Sequence, residues 1–402
     1  MPSAPPGPRI FISVAEQSAD EHAAALIRAF RGRQPEASFA GLTGPATRAA
    51  GCQTFHDLTA QSAMALAAIR RVPEALFLLH RLKAYLTRTR FDAAVMVDSP
   101  TLNLPLARIC HRRGIPVLYY IAPQTWAWAA WRNARIRRRV KRLACIWPFE
   151  EEYFHSRGIH ASYVGHPAFE RLLALEVDEA RVAELRAGGL PLITLLPGSR
   201  THVVREVLPG QLEVAAAVRK HFRHARFLIV PANEVVRPLI ESLRDKSAAG
   251  PAVDVLPPPP QRNAVNDAVS GRAAQRATAI RSADLVLAAS GTATLEVAYH
   301  GTPMIVMYNA NRWMYRLLGR WLISTEHLSI PNILAGRRLI PEFMPYYRSI
   351  DPIVATAIEW LATPATLARI RRELNEVIKP IVKPGASENA AAQLAAILAD
   401  SH

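Results

Sequence analysis

Cysteine is scarce in this chain. Cys52, Cys110 and Cys145 are the three present in 402 residues, and no two of them stand at metal-ligand spacing. A disulfide framework and a zinc ribbon are thereby excluded, and a reducing compartment is expected. No run approaches the roughly 20 apolar residues that a membrane-spanning helix needs. Met1 to Pro8 is rich in proline and lacks both a basic start and an apolar stretch, so it does not read as a signal peptide. Acid is also short: 33 Asp+Glu face 49 Lys+Arg, for a net charge of +16 and a pI near 10.4. That surplus favours polyanionic partners, either nucleic acid or anionic lipid. Core material, by contrast, is plentiful. With 50% hydrophobic and 20% charged residues the chain is not disordered, and its length suits two domains.

Short apolar runs alternate with amphipathic stretches, the pattern of βα units on a parallel sheet. Strands are predicted at Arg9–Val14, Ser38–Gly41, Ala93–Val97, Val117–Ile121 and Leu143–Trp147. A second series follows at Leu192–Leu196, Arg226–Val230, Leu285–Ala289 and Pro303–Met307. Two such series predict an α/β chain of two doubly wound domains with a hinge around Arg171–Gly189 and a cleft between facing sheets, where ligands sit at the carboxyl ends of strands. The boundaries expected are 1–175, then 187–380, with 381–402 forming a helix that packs back on the first domain. Pro251–Gln275, which includes four consecutive prolines, reads as a polyproline surface insertion.

Several strand ends carry polar residues. Leu196-Pro197-Gly198-Ser199-Arg200 joins a strand to a helix: Gly198 permits a tight turn, Ser199 can cap the helix, and Arg200 offers a forked cation to phosphate oxygens. Ser290-Gly291-Thr292-Ala293-Thr294-Leu295-Glu296 repeats the design, with hydroxyls for a diphosphate and Glu296 for ribose hydroxyls. Either segment alone is equally well an ordinary capped turn, but two in one half point to a nucleotide site. Neither is a P-loop, and neither is a G-x-G-x-x-G dinucleotide fingerprint. Glu16, Ser18 and Asp20 follow the first strand, as capping residues or as the rim of the cleft. Asp98 ends a strand, either as a general base pointing into the cleft or as the cap of the helix near Pro100. His166 reads as a structural hydrogen-bonding histidine. No His/Cys/Asp cluster has metal spacing, so no metal is expected.

Two segments speak to the charge. Gln124-Thr125-Trp126-Ala127-Trp128, with Trp131, precedes Arg132–Arg142, where seven of eleven residues are basic. Aromatics beside a basic run suit nucleic acid or a lipid headgroup boundary, or simply a packed pair before a solvated helix. Met64–Leu86 carries a broad apolar stripe that includes Ile69, Val72, Leu76, Leu79 and Leu82, with Pro73 opening a second helix. It reads as core packing or as a membrane or acyl-chain contact with basic flanks.

The order of these motifs resembles the lipid-A-disaccharide synthase family of GT-B glycosyltransferases. The matching pieces are Glu16–Asp20, Val97–Pro100, Pro123–Trp128, Pro148–Glu150, Val164–Pro167, Leu196–Arg200, Ser290–Glu296, Ser329–Asn332 and Pro384–Ser387. They span nearly the whole chain. The resemblance implies a GT-B fold of two Rossmann-like domains. It also implies transfer of 2,3-diacylglucosamine from UDP to 2,3-diacylglucosamine 1-phosphate, making a β-1,6 disaccharide and releasing UDP without a cofactor. On it, Asp98 is the essential acid and Arg200 is needed for activity. Ser199, Ser290, Gly291, Thr292, Thr294, Glu296 and Asn332 bind the donor. Glu16, Ser18, Asp20 and Gln124 face the acceptor.

The implied partners are the two acylated sugars, an anionic membrane surface and a second copy in a homodimer, with no nucleic acid. The implied location is cytoplasmic, peripheral on the inner face of the cytoplasmic membrane. Four positions depart from the family's pattern: Ala15 and Ala19 replace glycines of the first loop, Thr101 replaces a second aspartate, and Pro345 stands where glutamine is usual. Another GT-B UDP-sugar enzyme, such as an epimerase, and a divergent, inactive membrane-binding relative stay open as alternatives.

Overall fold

The computed structural model describes residues 7–57, 72–258, 265–309 and 326–400, with the side chains of 72–76, 251 and 265–270 outside that description. The chain divides into two units: Met1–Arg171 with Ile381–His402, and Leu172–Pro380.

The first unit is built on a seven-stranded sheet in the order β3-β2-β1-β4-β5-β6-β7, parallel throughout. The strands are β1 (Arg9–Ser13), β2 (Ser38–Thr43), β3 (Gln53–Asp57), β4 (Ala93–Val97), β5 (Val117–Tyr120), β6 (Arg142–Cys145) and β7 (Ala161–Tyr163). Between them run α1 (Gln17–Arg33), α2 (Pro45–Ala49), α3 (Val72–Arg88), α4 (Pro100–His111), α5 (Asn133–Arg139) and α6 (Pro148–His155). Helices cover both faces, so the inner strands can be apolar without alternation. All five residues of Ala93–Val97 are buried. Leu82 and Leu86 of α3 pack with Phe11, Met96, Leu104, Tyr119 and Phe154 in one core. The C-terminal helix Ala386–Ala399 packs along α1. Its first turn is fixed by Glu170, which accepts from the Ser387 backbone N–H and hydroxyl, both at 2.7 Å.

The second unit repeats the plan with a six-stranded parallel sheet, β10-β9-β8-β11-β12-β13. Its strands are β8 (Leu192–Leu196), β9 (Arg226–Ile229), β10 (Val253–Val255), β11 (Leu285–Ala289), β12 (Met304–Met307) and β13 (Glu342–Phe343). After α7 (Pro167–Leu173), its helices include α8 (Glu179–Ala187), α9 (Thr201–His221), α10 (Arg237–Asp245), α11 (Val265–Ser282) and α12 (Ala293–Tyr299).

In each sheet the strand order reverses once, between β1 and β4 and between β8 and β11. Loops diverge there and leave a crevice at the carboxyl ends of the strands, the usual ligand position in open α/β sheets. Four strands escape the sequence reading: β3, β7, β10 and β13. β7, β10 and β13 have only two or three residues, and all four carry polar residues of the kind that edge positions tolerate. The reading of Pro251–Gln275 as a surface insertion is corrected at its two ends, which supply β10 and the first part of α11, while 259–264 lie outside the described residues. No single helix among the described residues is long and apolar enough to cross a membrane.

Candidate active site

At the first reversal the chain is bent sharply. Asp98 and Ser99 have φ of 49° and 45°, left-handed values that a residue with a Cβ adopts only under constraint. The constraint comes from three elements. Asn103 Nδ2 in α4 donates to the Val97 and Asp98 carbonyls at 3.0 and 2.7 Å. Tyr119 of β5 donates its hydroxyl to the Asp98 carbonyl at 2.6 Å. Ser13 of β1 donates to Asn103 Oδ1 at 2.6 Å, which fixes the amide's orientation. With its backbone held from all sides, the partly buried Asp98 carboxyl projects from the strand end. Burial raises its pKa above the usual carboxylate value, the Ser99 backbone N–H pulls the other way, and the Glu16 charge adds to the rise. Sequence reasoning finds Asp98 but not Ser13, Asn103 and Tyr119. The available signal is a polar Asn103 between Leu102 and Leu104 in an otherwise apolar helix face.

Of the residues expected beside it, Glu16 stands at the N-cap of α1 and Ser18 is exposed in the first turn. Asp20 is corrected. It is 1% exposed and accepts from the backbone N–H groups of Gly44, Ala46 and Thr47 and from the Thr47 hydroxyl, at 2.6–3.0 Å. It anchors α2 and does not line a rim.

Gln124 is exposed in the β5–α5 loop. Buried groups lock that loop. Thr125 donates to Asn133 Oδ1 at 2.6 Å, and Trp126 Nε1 donates to Glu150 Oε1 at 2.9 Å. The other Glu150 oxygen accepts from the Ile146 and Trp147 backbone N–H groups, both at 3.1 Å. Burial pushes the Glu150 pKa up from 4.5 to about 7, against the pull of these three donors. A carboxyl whose pKa is raised on folding favours the folded state below its unfolded value. That contribution fades as pH rises through about 7. Glu150→Ala orphans three donors, so a loss of roughly 2–4 kcal/mol is expected in denaturant unfolding. His166 is buried beside Trp147, and its Nδ1 accepts from the Ala168 N–H at 3.1 Å. Burial lowers its pKa to about 3, so it is a neutral structural histidine.

In the second unit, the turns after β8 and β11 lie side by side. A Cβ on Gly198 would sit 3.7 Å from Ala289 Cβ. Gly198 has φ 109°. The N-cap of α9 is Arg200, not Ser199, and its side chain makes no capping bond. The Ser199 carbonyl instead accepts from Asn233 Nδ2 at 3.1 Å. Arg200 is exposed, and its charge reaches Tyr308 beyond β12, a residue the sequence reading does not single out. After β11, Gly291 has φ 147° with open space where a Cβ would be, Thr292 is exposed, and Ser290 is half-buried. Glu296 is buried. Arg276 Nε of α11 donates to its Oε2 at 2.8 Å, and Oε1 is enclosed without a partner.

Two donor-site expectations are corrected. Thr294 is 1% exposed and donates its hydroxyl to the Gly291 carbonyl at 2.8 Å, so it shapes the turn. Asn332 is fully buried with both ends of its amide engaged. It donates to the Ile340 carbonyl and Glu342 Oε1 at 2.8 and 2.6 Å, and it accepts from the Leu339 and Ile340 N–H groups at 2.8 and 2.9 Å. With Ser329 and Glu342 it ties helix Ile330–Ala335 to the β13 edge and leaves nothing for a ligand.

A family model described as lipid-A-disaccharide synthetase matches residues 10–397. The chain belongs to the lipid-A-disaccharide synthase family. A curated synthase of Syntrophus aciditrophicus is 34% identical over 387 residues, covering 95% of this chain and 96% of the relative. The synthase of Geobacter sulfurreducens is 32% identical over 394 residues, covering 95% of each. The fold is that of GT-B glycosyltransferases. Acinetobacter baumannii MurG aligns over 97% of this chain and 99% of its own, with TM-score 0.53 at 16% identity. A Staphylococcus aureus MnaA–UDP structure aligns over 94% and 93%, with TM-score 0.60 at 10% identity. A UDP-GlcNAc 2-epimerase of Neisseria meningitidis, bound to UDP-GlcNAc, aligns over 98% and 99%, with TM-score 0.55 at 12% identity.

Membership in the lipid-A-disaccharide synthase family makes the chain a glycosyltransferase and sharpens the departures at Ala15, Ala19 and Thr101. Ala15 and Ala19 are not among the residues with positive φ, and Ala19 lies buried inside α1. The first loop therefore folds with alanine at no backbone cost. Thr101 is exposed in the first turn of α4, two residues beyond the bend that Asn103 and Tyr119 hold. In α3, Leu82 is corrected from a membrane contact to a core residue at 0% exposure. Leu79 is half-buried. Ile69 lies outside the described residues, as do the side chains of Val72 and Leu76.

Proposed function

We propose that this glycosyltransferase moves 2,3-diacylglucosamine from UDP to the 6-hydroxyl of 2,3-diacylglucosamine 1-phosphate with inversion, at the inner face of the cytoplasmic membrane. The observation that carries the reading is Asp98, a carboxyl of raised pKa held by over-determined backbone at the carboxyl edge of the first sheet. In the reaction the acceptor oxygen attacks the anomeric carbon and its proton passes to Asp98. The bond from that carbon to the diphosphate breaks, and UDP leaves with the electron pair. Attack opposite the leaving group turns an α-linked donor into a β-linked product. Arg200 meets the developing diphosphate charge, aided by the backbone N–H groups at the start of α9. Ser199, Ser290, Gly291 and Thr292 border the diphosphate, and Glu296, buried behind the β11 turn, takes the ribose hydroxyls when the donor binds. Two of the structural neighbours hold UDP or UDP-GlcNAc, which supports a UDP-sugar as the donor. Glu16, Ser18 and Gln124 border the acceptor. The residues call for no cofactor.

The test is an assay with both acylated substrates. Stoichiometric UDP and disaccharide are expected, and a product epimerised at the donor sugar with no disaccharide overturns the reading. Asp98 must be ionised to act, so kcat/KM should rise with pH through its raised pKa. Glu16→Gln removes a charge that contributes to the rise and should move this acidic limb to lower pH. A limb that stays in place separates Glu16 from the titration.

A further inference from the structure

On the outer side of α3, α4 and α5 an open groove of about 570 Å³ is lined by six cations and no acid. Lys83 comes from α3, Arg108 and Arg112 from α4, Arg113 from just beyond it, and Arg135 and Arg139 from α5. Arg139 feels the other positive charges: burial and then Arg108, Arg135, Arg138 and Arg112 all lower its pKa. Like charges from three elements converge on one cavity, and no acid lines it among the described residues, an arrangement that an external anion relieves.

A second feature borders the groove. Arg135 lies 4.4 Å from the centroid of Trp131, which is 57% exposed, and Arg132 lies 4.3 Å from the centroid of the neighbouring Trp128. An exposed indole beside arginines is the pairing found where a protein meets lipid headgroups. The groove is also remote from the chemistry. Arg108 and Arg112 stand 8 and 12 residues beyond Pro100, on the order of 12 and 18 Å along the helix from the Asp98 turn. It therefore does not serve the reacting phosphates at that turn.

We propose that this groove is a docking site for the phosphodiester headgroups of anionic phospholipid, with Trp131 entering the headgroup layer beside it. The proposal rests on the membrane-surface reading above. It gives that surface an address on the α3–α4–α5 flank.

The experiment is co-sedimentation of the full chain with phosphatidylcholine vesicles, with and without phosphatidylglycerol. Wild type should partition into the anionic vesicles and not into the neutral ones. Arg108→Gln/Arg112→Gln/Arg135→Gln should lower that partition by about a hundredfold, at about fivefold per cation. Arg28→Gln/Arg33→Gln/Arg219→Gln has the same net charge outside the groove and should lower it far less. Activity on detergent-dispersed substrates should be unchanged in the groove variant, which separates docking from the proposed chemistry: a failure of disaccharide synthesis by wild type leaves the vesicle result intact. Equal loss in both triple variants reduces the effect to net charge and overturns the proposal. So does wild-type binding that does not depend on phosphatidylglycerol. So does displacement from the vesicles by millimolar inorganic phosphate at fixed ionic strength, which marks a free-phosphate site, and so does arginine-dependent binding of single-stranded RNA that excludes vesicles.

Discussion

Asp98→Asn should lower kcat by about 100- to 10,000-fold, the range associated with a positioned general base. That corresponds to roughly 3–5.5 kcal/mol of lost transition-state stabilisation. Asparagine is the informative replacement because of the backbone. Asp98 sits at φ 49°, and Asn enters the left-handed region about as readily as Asp, so the turn keeps its shape. Alanine would add a conformational cost of its own and blur the result. The bonds that hold the turn run from Asn103 and Tyr119 to main-chain carbonyls and do not involve the Asp98 side chain. Thermal stability and donor affinity should therefore match wild type while turnover collapses, and the acidic limb of the pH profile should vanish with it. Turnover near the wild-type rate would remove Asp98 from the proton transfer.

The turn also shows what a sequence can and cannot reveal. Ala93–Val97 is an apolar run bounded by an acid, and both the strand and the polar residue at its end are legible without a structure. The same holds for Leu192–Leu196 and Leu285–Ala289, each buried throughout and each followed by a glycine-containing turn. These strands lie at the centres of their sheets, where parallel pairing buries both faces and the hydrophobic pattern is strongest. The edge strands β3, β7, β10 and β13 need no such pattern, and they are missed.

Polar residues divide along a similar line. Position at a strand end is readable, but the partner a side chain finds is not. Asp20 and Asn332 look like ligand-binding groups in sequence. In the fold they hold backbone N–H groups from segments 24–27 and 7–8 residues away. Glu296 is the intermediate case. Its pairing with Arg276 depends on α11 packing against α12, which the sequence does not announce, while its second oxygen is enclosed with no partner among the described residues. Buried polar groups satisfied by main chain shape a site, and those left with a free acceptor serve it.

That distinction predicts unequal roles for two glycines that look alike in sequence. Gly198→Ala should raise the donor KM by about 10- to 100-fold and lower unfolding stability by roughly 2–4 kcal/mol. Two costs combine at this position. An L-residue at φ 109° is strained, and the new Cβ would lie 2.6 Å from Val203 Cγ1 in the first turn of α9. Valine has one strongly preferred rotamer in a helix, so it cannot step aside, and the β8–α9 turn must move instead. Moving it displaces Arg200 and the N–H groups proposed to receive the diphosphate. Gly291→Ala has the strain of φ 147° but meets nothing within 4 Å, so its effect should be the smaller one on both measures. The pair Gly198→Ala/Val203→Ala removes the 2.6 Å contact and leaves a 3.2 Å one to the residue 203 Cβ together with the strain, so it should regain part of the donor affinity lost by Gly198→Ala. Equal defects in the two glycine variants, with no recovery in the double variant, would show that backbone conformation alone sets the role of Gly198.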